Sequence, residues 1–309
     1  MKPKTLIYSL VVTSMVANLA DAAVLRYRQS GNWNAITNGS TPGWGPNPNG
    51  VGSAIPGAGD EARINFGNNT VTINSAVPDT AQVKIGVDEG GTLIIANGGS
   101  LKTTGLLRAG NNDGGAISDT TGTLTVQNGG SLDIGGIFWS AHNNSSGIIN
   151  VDAGGNIIAR DHLWWGTSLN AQVNISGTIT QTGGILGLGT LNAVSPSGGT
   201  AVVNILDGGL LALNNLSGAS GSPSIQAGSV INMEAGSTFT VNGDGQIGNV
   251  QRYIDAGKIV AVGGTFDLTN GGGLTTLTVQ GATVVIPEPS VVGLAAIGAM
   301  LGLFSRRRK

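Results

Sequence analysis

The sequence predicts an all-β fold, a right-handed parallel β-helix (solenoid) of roughly six to seven coils. Three observations support this prediction. Glycine supplies 53 of the 309 residues, and 40% of the chain is apolar while only 10% is charged. One phrase of alternating apolar residues and a glycine turn occurs six times, with its turns 23 to 31 residues apart. Such a mixture is typical of short strands joined by tight turns, because Gly and Asn tolerate positive φ.

The repeated phrase predicts one stacked strand and one turn in each coil. Period-2 alternation gives strands with one buried face, and no helical pattern interrupts the repeats. A β-sandwich is the alternative, since hairpins across Asn-Gly-Gly turns would use the same phrases. The regular period favours the solenoid, in which each coil buries its inner face against the next. The six copies are residues 92–101, 123–132, 148–157, 172–179, 202–211 and 230–239.

A second phrase precedes segments of variable length, which we expect to be loops on one side of the solenoid. It reads Leu106-Leu107, Ile137-Phe138, Leu163-Trp164 and Ile185-Leu186. The predicted loops are residues 111–121, 143–146, 167–170 and 191–199.

The ends of the body differ from its repeats. Residues 23–80 are predicted to form an N-terminal cap with the first strands, and residues 81–245 the β-helix repeats. Residues 246–286 are a closing segment with one short helix at 247–256, which ends at Gly257. Ile247, Val250 and Ile254 lie on one face of this helix.

The N-terminus has the three parts of a secretory signal peptide. Lys2 and Lys4 precede an apolar stretch at 6–16, and Ala20-Asp21-Ala22 forms a small-x-small cleavage site. We therefore expect residues 1–22 to be removed after Ala22. The chain has no cysteine, so no disulfide stabilises the fold.

The C-terminus also has three ordered parts. Pro287-Glu288-Pro289 forms a short extended segment, because proline fixes φ and donates no N–H. The 14 uncharged residues at 291–304 predict a separate transmembrane helix. At ~1.5 Å per residue it spans about 21 Å, less than the ~30 Å of a hydrocarbon core. The chain then ends in a basic cluster, Arg306, Arg307, Arg308 and Lys309.

Residues 287–309 resemble the PEP-CTERM sorting signal of Gram-negative bacteria. The motif, the apolar helix and the Arg-rich end match its three parts in order. The resemblance implies cleavage near Pro287-Glu288-Pro289 by an exosortase-type enzyme, and an association with exopolysaccharide or biofilm. An ordinary single-pass anchor is the alternative. The Gly-Gly repeats also look like those of PEP-CTERM and autotransporter passenger proteins, and Trp33 with Pro56-Gly57-Ala58-Gly59-Asp60 resembles the opening motif of bacterial β-helical surface proteins.

The charge of the body excludes some partners. Between residues 23 and 286 there are nine basic and fifteen acidic residues, so the net charge is near −6. Nucleic acid and anionic lipid are therefore not expected as partners, since both require a basic face.

Catalytic and metal-binding patterns are weak in this chain. The nearest candidate is Arg160-Asp161-His162, but consecutive strand residues point to opposite faces and no second carboxylate recurs one coil away. His142 and His162 without cysteine make no metal set. The turns at 112–115 and 242–245 lack the array of a calcium-binding roll. We predict no cofactor, no metal and no enzymatic activity.

Three tryptophans are candidate sugar-contact residues. Alignment of the second phrase places Trp139 and Trp164 in adjacent coils, with Trp165 beside them. An exposed ladder of these rings would bind a sugar or an apolar surface, whereas stacking inside the coil is the structural alternative.

Together these features predict an exported structural or adhesive protein of the Gram-negative cell surface or extracellular matrix. Its expected partners are signal peptidase, an exosortase-type enzyme, exopolysaccharide, and the inner membrane before processing. The alternatives are a polysaccharide lyase or hydrolase, or a carbohydrate-binding β-helix.

Overall fold

The computed structural model describes residues 23–27, 30–35, 43–45, 55–65, 68–87, 89–113, 120–189, 198–217 and 223–281. These residues form a β-solenoid of about six turns with a single short α-helix. Three sheets, A, B and C, run along the solenoid, and each central coil, such as that of residues 82–103, contributes one strand to each sheet in that order.

Sheet A has eight strands and sheet B has nine. Sheet A contains β1 (Val24–Tyr27), β3 (Trp44–Gly45), β4 (Glu61–Ile64), β6 (Gln82–Val87), β9 (Leu107–Asn111), β12 (Phe138–His142), β15 (Leu163–Trp165) and β18 (Leu186–Leu188). Sheet B contains β2 (Gly31–Asn32), β5 (Asn69–Ile73), β7 (Gly91–Ile95), β10 (Thr120–Val126), β13 (Ser145–Val151), β16 (Asn170–Ile175), β19 (Thr200–Ile205), β21 (Val230–Glu234) and β23 (Ile259–Val262).

Sheet C has eight strands and ends in a hairpin. It contains β8 (Ser100–Thr103), β11 (Ser131–Ile134), β14 (Asn156–Ala159), β17 (Thr178–Gln181), β20 (Leu210–Leu213), β22 (Thr238–Asn242), β24 (Gly264–Gly271) and β25 (Leu274–Gly281). The pairs from β8 to β22 are parallel, whereas β25 pairs antiparallel with both β22 and β24.

The strand register confirms the predicted parallel β-helix. Leu124 of β10 pairs with Leu93 of the preceding coil and Ile149 of the next, and all three side chains are fully buried. Equivalent inward residues of each coil therefore stack into one continuous core. The β-sandwich alternative is wrong, because hairpins across the glycine turns would make these pairs antiparallel. The right hand of the coil stays a prediction.

Each glycine of the pair in the turn between sheets B and C is required for a different physical reason. Gly98 has φ +77°, in the left-handed region that side chains disfavour. Gly99 lies so close to the preceding coil that a Cβ there would be 2.2 Å from the carbonyl oxygen of Ile73. The first glycine allows the turn, and the second allows the coils to approach.

Within each coil, the variable segment connects the sheet A strand to the sheet B strand. The described connections run from β9 to β10, β12 to β13, β15 to β16 and β18 to β19, as the sequence predicts. Residues 114–119 and 190–197 of these connections lie outside the described residues.

Both ends of the solenoid carry packed aromatic side chains. At the N-terminal end, the Trp44 indole N–H donates to the carbonyl of Trp33 at 2.9 Å, and both residues are buried. At the other end, α1 (Ile247–Asp255) follows a 3-10 turn (Asp244–Gln246). It buries Val250 and Tyr253, while Ile247 is 38% exposed. The prediction that Ile247 lies on the buried face is therefore wrong. Tyr253 faces inward instead, and its hydroxyl accepts the Ser224 N–H at 2.8 Å.

The two predicted terminal signals fall outside the described part of the chain. This applies to residues 1–22 with Ala20 and Ala22, and to residues 291–304, for which a transmembrane helix is predicted. It applies equally to the sorting motif and basic cluster, Pro287, Glu288, Pro289, Arg306, Arg307, Arg308 and Lys309. In the described residues, we find no helix with the length and apolar character needed to cross a membrane.

Candidate functional site

The predicted tryptophan pair forms on the outer face of sheet A. Trp139 of β12 and Trp164 of β15 are register partners in adjacent coils. Their ring centroids are 4.6 Å apart at 86°, an edge-to-face contact. Trp139 is only 6% exposed and Trp164 is half-buried, so the pair is mostly covered. This arrangement offers little open ring face to a sugar.

Trp165 does not lie on that face. Its side chain is fully buried, and its ring packs edge-to-face against Phe138 at 5.9 Å. The cause is strand alternation: Leu163 points inward, Trp164 points outward and Trp165 points inward again. The expectation that Trp165 contacts sugar is therefore wrong, and the residue is part of the core.

Polar rings and a cation surround the tryptophan pair. His142 lies 4.1 Å from the Trp139 ring, and the Arg108 guanidinium is 5.9 Å from its centroid. On the other side, His162 stacks on Trp164 at 4.8 Å and 15°. These contacts use the ring faces for packing within the protein.

A row of cations continues from the tryptophans along sheet A. Arg26, Arg63, Lys84 and Arg108 occupy equivalent register positions in successive strands, followed by Trp139. Such like charges would repel one another without partners. The partners are two acids: the Lys84 ammonium lies 2.9 Å from the Asp113 carboxylate and 3.1 Å from the Glu61 carboxylate, and the Arg63 guanidinium lies 2.9 Å from Asp113.

The pKa shifts in this cluster follow from its burial and its ion pairs. Burial alone raises the pKa of Asp113, but hydrogen bonds from Lys84 and Asn111 and the charges of Lys84 and Arg63 reverse this, so the net pKa is lowered. Burial lowers the pKa of Arg108. Burial, aided by the charges of Arg108 and Lys84 and opposed by Asp113, lowers the pKa of His142 to about 4. The cluster therefore holds Asp113 ionised and His142 neutral at pH 7.

The candidate acid–base group Arg160-Asp161-His162 is engaged in structural contacts. Arg160 makes a bidentate pair with Asp133 of the preceding coil, with both distances 2.7 Å. The Nδ1 of His162 accepts the backbone N–H of Ile185 at 2.9 Å. Its Nε2 is 3.6 Å from the Asp161 carboxylate, beyond a good hydrogen bond. These side chains orient the turn from sheet C to sheet A.

The oxygen-rich turns also have structural partners. The Asp244 carboxylate accepts the Gly273 N–H at 3.0 Å, and Asp113 belongs to the ion-pair cluster. Among the residues that the structure describes, we find no group of three or more His, Asp or Glu side chains placed to hold a metal ion.

The outer face of sheet B carries a groove that sequence reasoning missed. The groove has a volume of about 590 Å³ and crosses β10, β13, β16 and β19. Its lining includes Ser146, Asn170, Gln172 and Thr200, with the aliphatic side chains of Ile148 and Val202 between them. Asn170 and Gln172 are exposed. None of the described residues that line this groove is charged.

A ladder of asparagines borders the groove. Asn150, Asn174, Asn204 and Asn232 are register partners in four successive coils. The side-chain amides of the last three each donate to the asparagine of the preceding coil, at 2.8, 2.9 and 2.9 Å. The signal was available in the sequence, because every one of these asparagines is the third residue of its copy of the repeated phrase.

Comparisons with protein-family models, curated proteins and solved structures found no match to this chain. The site is therefore interpreted from its residues and their geometry.

Proposed function

We propose that this protein is an exported structural or adhesive protein of the cell surface or extracellular matrix, and that it works by contact. The main support is the contrast between the two outer faces of the solenoid. The charged and aromatic side chains of sheet A pack against one another, whereas sheet B offers an open, uncharged groove across four coils. A surface of this kind is suited to holding a polymer.

The proposed location rests on the two terminal signals. Signal peptidase would cleave after Ala22, and the C-terminal helix would hold the chain in the inner membrane until processing. An exosortase-type enzyme would then cut near Pro287-Glu288-Pro289, and the body would join the exopolysaccharide of a Gram-negative envelope. The sequence resemblance at 287–309 supports this route.

The alternative to a binding protein is a polysaccharide lyase or hydrolase. Such an enzyme needs positioned carboxylates and a general base at an accessible site. Arg160 is paired with Asp133, and the Nδ1 of His162 is occupied by a backbone N–H. These contacts favour binding over turnover.

The sorting proposal is tested in the producing bacterium by replacing Pro287, Glu288 and Pro289 with Ala in the full chain. Intact-mass spectrometry of envelope and culture fractions should find wild-type protein without Arg306–Lys309. The variant should keep those residues and stay in the inner membrane. Pro223→Ala, a proline change outside the tail, is the control and should be processed normally. Surface protein that retains the basic cluster would contradict the proposal.

The contact proposal is tested by incubating the isolated protein with polysaccharide from the same cells. We expect bound protein, unchanged chain length and no new reducing ends or unsaturated products. Release of new chain ends by the wild type, and its loss in Asp161→Asn, would identify an enzyme instead.

A further inference from the structure

We propose that the groove on the outer face of sheet B is a binding site for a chain of uncharged sugar residues. The inference rests on the proposed contact function and names its binding surface and its ligand class.

The groove has the shape of a site for a linear polymer. It crosses four neighbouring parallel strands, which at about 4.8 Å between strands extends over about 14 Å along the solenoid. Thr121 pairs with Ser146 of the next coil, and Asn170 pairs with Thr200 of the coil after it. Ser146 and Asn170 each directly precede the first residues that pair between their two strands, Gly147 and Ala171. The polar groups therefore recur at strand spacing in the direction a polymer would run.

The groove has donors and acceptors left over for a ligand. Thr200 donates its hydroxyl hydrogen to the Asn170 carbonyl at 2.9 Å, which leaves the two Asn170 amide hydrogens available. Gln172 donates one amide hydrogen to Asn174 over a long 3.4 Å and keeps its carbonyl oxygen as an acceptor. Sugar hydroxyls both donate and accept hydrogen bonds, so they can pair with the donors of Asn170 and with the acceptor of Gln172.

Aliphatic side chains complete the match to a sugar ring. Ile148 and Val202 lie in the row between the polar groups and are half-buried. A pyranose ring presents C–H groups on its faces and hydroxyl groups at its edge. The aliphatic side chains in the middle of the groove would contact the C–H faces of the ring. The polar side chains at its border would bind the hydroxyl groups.

Hydrogen bonds within the protein hold the asparagine border of the groove in place. Asn204 on its border is held by the Asn174 side chain on one side and the Asn232 side chain on the other, each at 2.9 Å. The strands beneath are paired with neighbours on both sides. Little side-chain ordering is therefore required on binding, which favours affinity.

Charge and topology favour an uncharged polysaccharide over other polymers. The body between residues 23 and 286 has a net charge near −6, and the described lining residues of the groove include no cation to attract an anionic chain. A peptide strand would add to a sheet through free backbone groups at an edge. The groove lies on a face, where β13 and β16 already pair with two neighbours each.

The test uses the processed protein isolated from the producing cells. Exopolysaccharide from those cells is separated by anion exchange into an uncharged pool and an acidic pool, and each is used in affinity electrophoresis. The Asn170→Ala and Gln172→Ala double variant removes the most exposed polar groups of the groove. Thr180→Ala, an outward-facing change on sheet C in the same coil, is the matched control.

We expect the uncharged pool to retain the wild type and the control equally. The double variant should bind about tenfold more weakly, the loss expected for one to two hydrogen bonds between uncharged groups. An unchanged thermal midpoint in the double variant shows that the fold is intact.

Three results would overturn the groove proposal. They are equal binding of the double variant and the wild type, binding of the acidic pool alone, and binding of neither pool. The first two results would leave the proposed contact function standing, because polysaccharide would still be bound. Binding of neither pool would overturn the contact function as well, whereas the proposed location is decided separately by the processing of the tail.

Discussion

The outer faces of sheets A and B differ in both composition and accessibility. On sheet A, the row of Arg63, Lys84, Arg108 and Trp139 is joined by ion pairs and ring contacts, and Lys84 is only 7% exposed. On sheet B, the exposed Gln172 borders an open groove. The difference teaches that residues of chemically active types are here used to hold coils together, while ordinary amides and hydroxyls meet the solvent.

The largest expected effect distinguishes the inside of sheet A from its outside. Trp165→Ala should lower the free energy of unfolding by about 4 kcal/mol, because it leaves a cavity in the core. Trp164→Ala, its neighbour, should cost about 1 kcal/mol, since it removes mainly the edge-to-face contact with Trp139. Urea denaturation measures both. Equal losses would show that the two rings are not on opposite faces.

The charged cluster should have the next largest effect. Asp113→Ala should cost about 3 kcal/mol, because Arg63 and Lys84 lose one of their two shared carboxylate partners in a mostly buried setting. Asp133→Ala is the control: its partner Arg160 has a side chain 52% exposed, so we expect a loss below about 1 kcal/mol. The comparison uses urea denaturation at pH 7. A loss at Asp113 no larger than at Asp133 would remove the cluster as a stabilising element.

His142 should make the stability of sheet A depend on pH. Its pKa is about 4 in the folded protein against 6.5 for the ordinary side chain, so below pH 6.5 the unfolded state takes up a proton that the folded state refuses. Stability should therefore fall by about 1.5 kcal/mol between pH 6.5 and pH 5. This window lies above the titration of carboxylates.

The His142→Asn variant should lose this dependence. His162→Asn is the matched control, because the His162 side chain is 30% exposed, and it should keep the dependence. Denaturation curves at pH 6.5 and pH 5 for the three proteins give the answer. If His142→Asn loses as much stability between pH 6.5 and pH 5 as the wild type does, the pH dependence belongs to another group.

The smallest expected effect is on sheet B. Asn174→Ala removes one ladder bond to Asn150 and one from Asn204, and should cost about 1 to 2 kcal/mol. Thr180→Ala on sheet C should change stability by less than about 0.5 kcal/mol. If the two variants are equally stable, the ladder adds nothing beyond the backbone pairing.

Much of the fold could be predicted because the coils repeat. Five of the six copies place an inward residue, such as Leu93 and Leu124, five residues before the glycine of the turn, and parallel stacking follows from that regularity. The first coil was harder because it lacks the phrase. The pairing of β1 with β4 places Arg26 beside Arg63. No local sequence pattern predicts that register.

The candidate site was predicted less well, for two physical reasons. Which of Trp164 and Trp165 faces outward depends on the inward position of Leu163, a register that alternation alone leaves open. The groove was missed because Asn170 and Gln172 are unremarkable in a strand until four coils are stacked. Alignment of the third residue of each phrase would have shown the asparagine ladder.

The hairpin of β24 and β25 sets the length of the molecule. Each earlier strand of sheet C offers the next coil a parallel edge, but β25 runs the opposite way against β22. The outermost strand, β24, then presents polar residues such as Thr265, Asp267 and Asn270. A further coil, or the first coil of another molecule, would meet reversed hydrogen-bonding groups and a carboxylate. At sheet C the solenoid therefore has a defined end, and the β24–β25 hairpin disfavours end-to-end stacking of two molecules through this sheet.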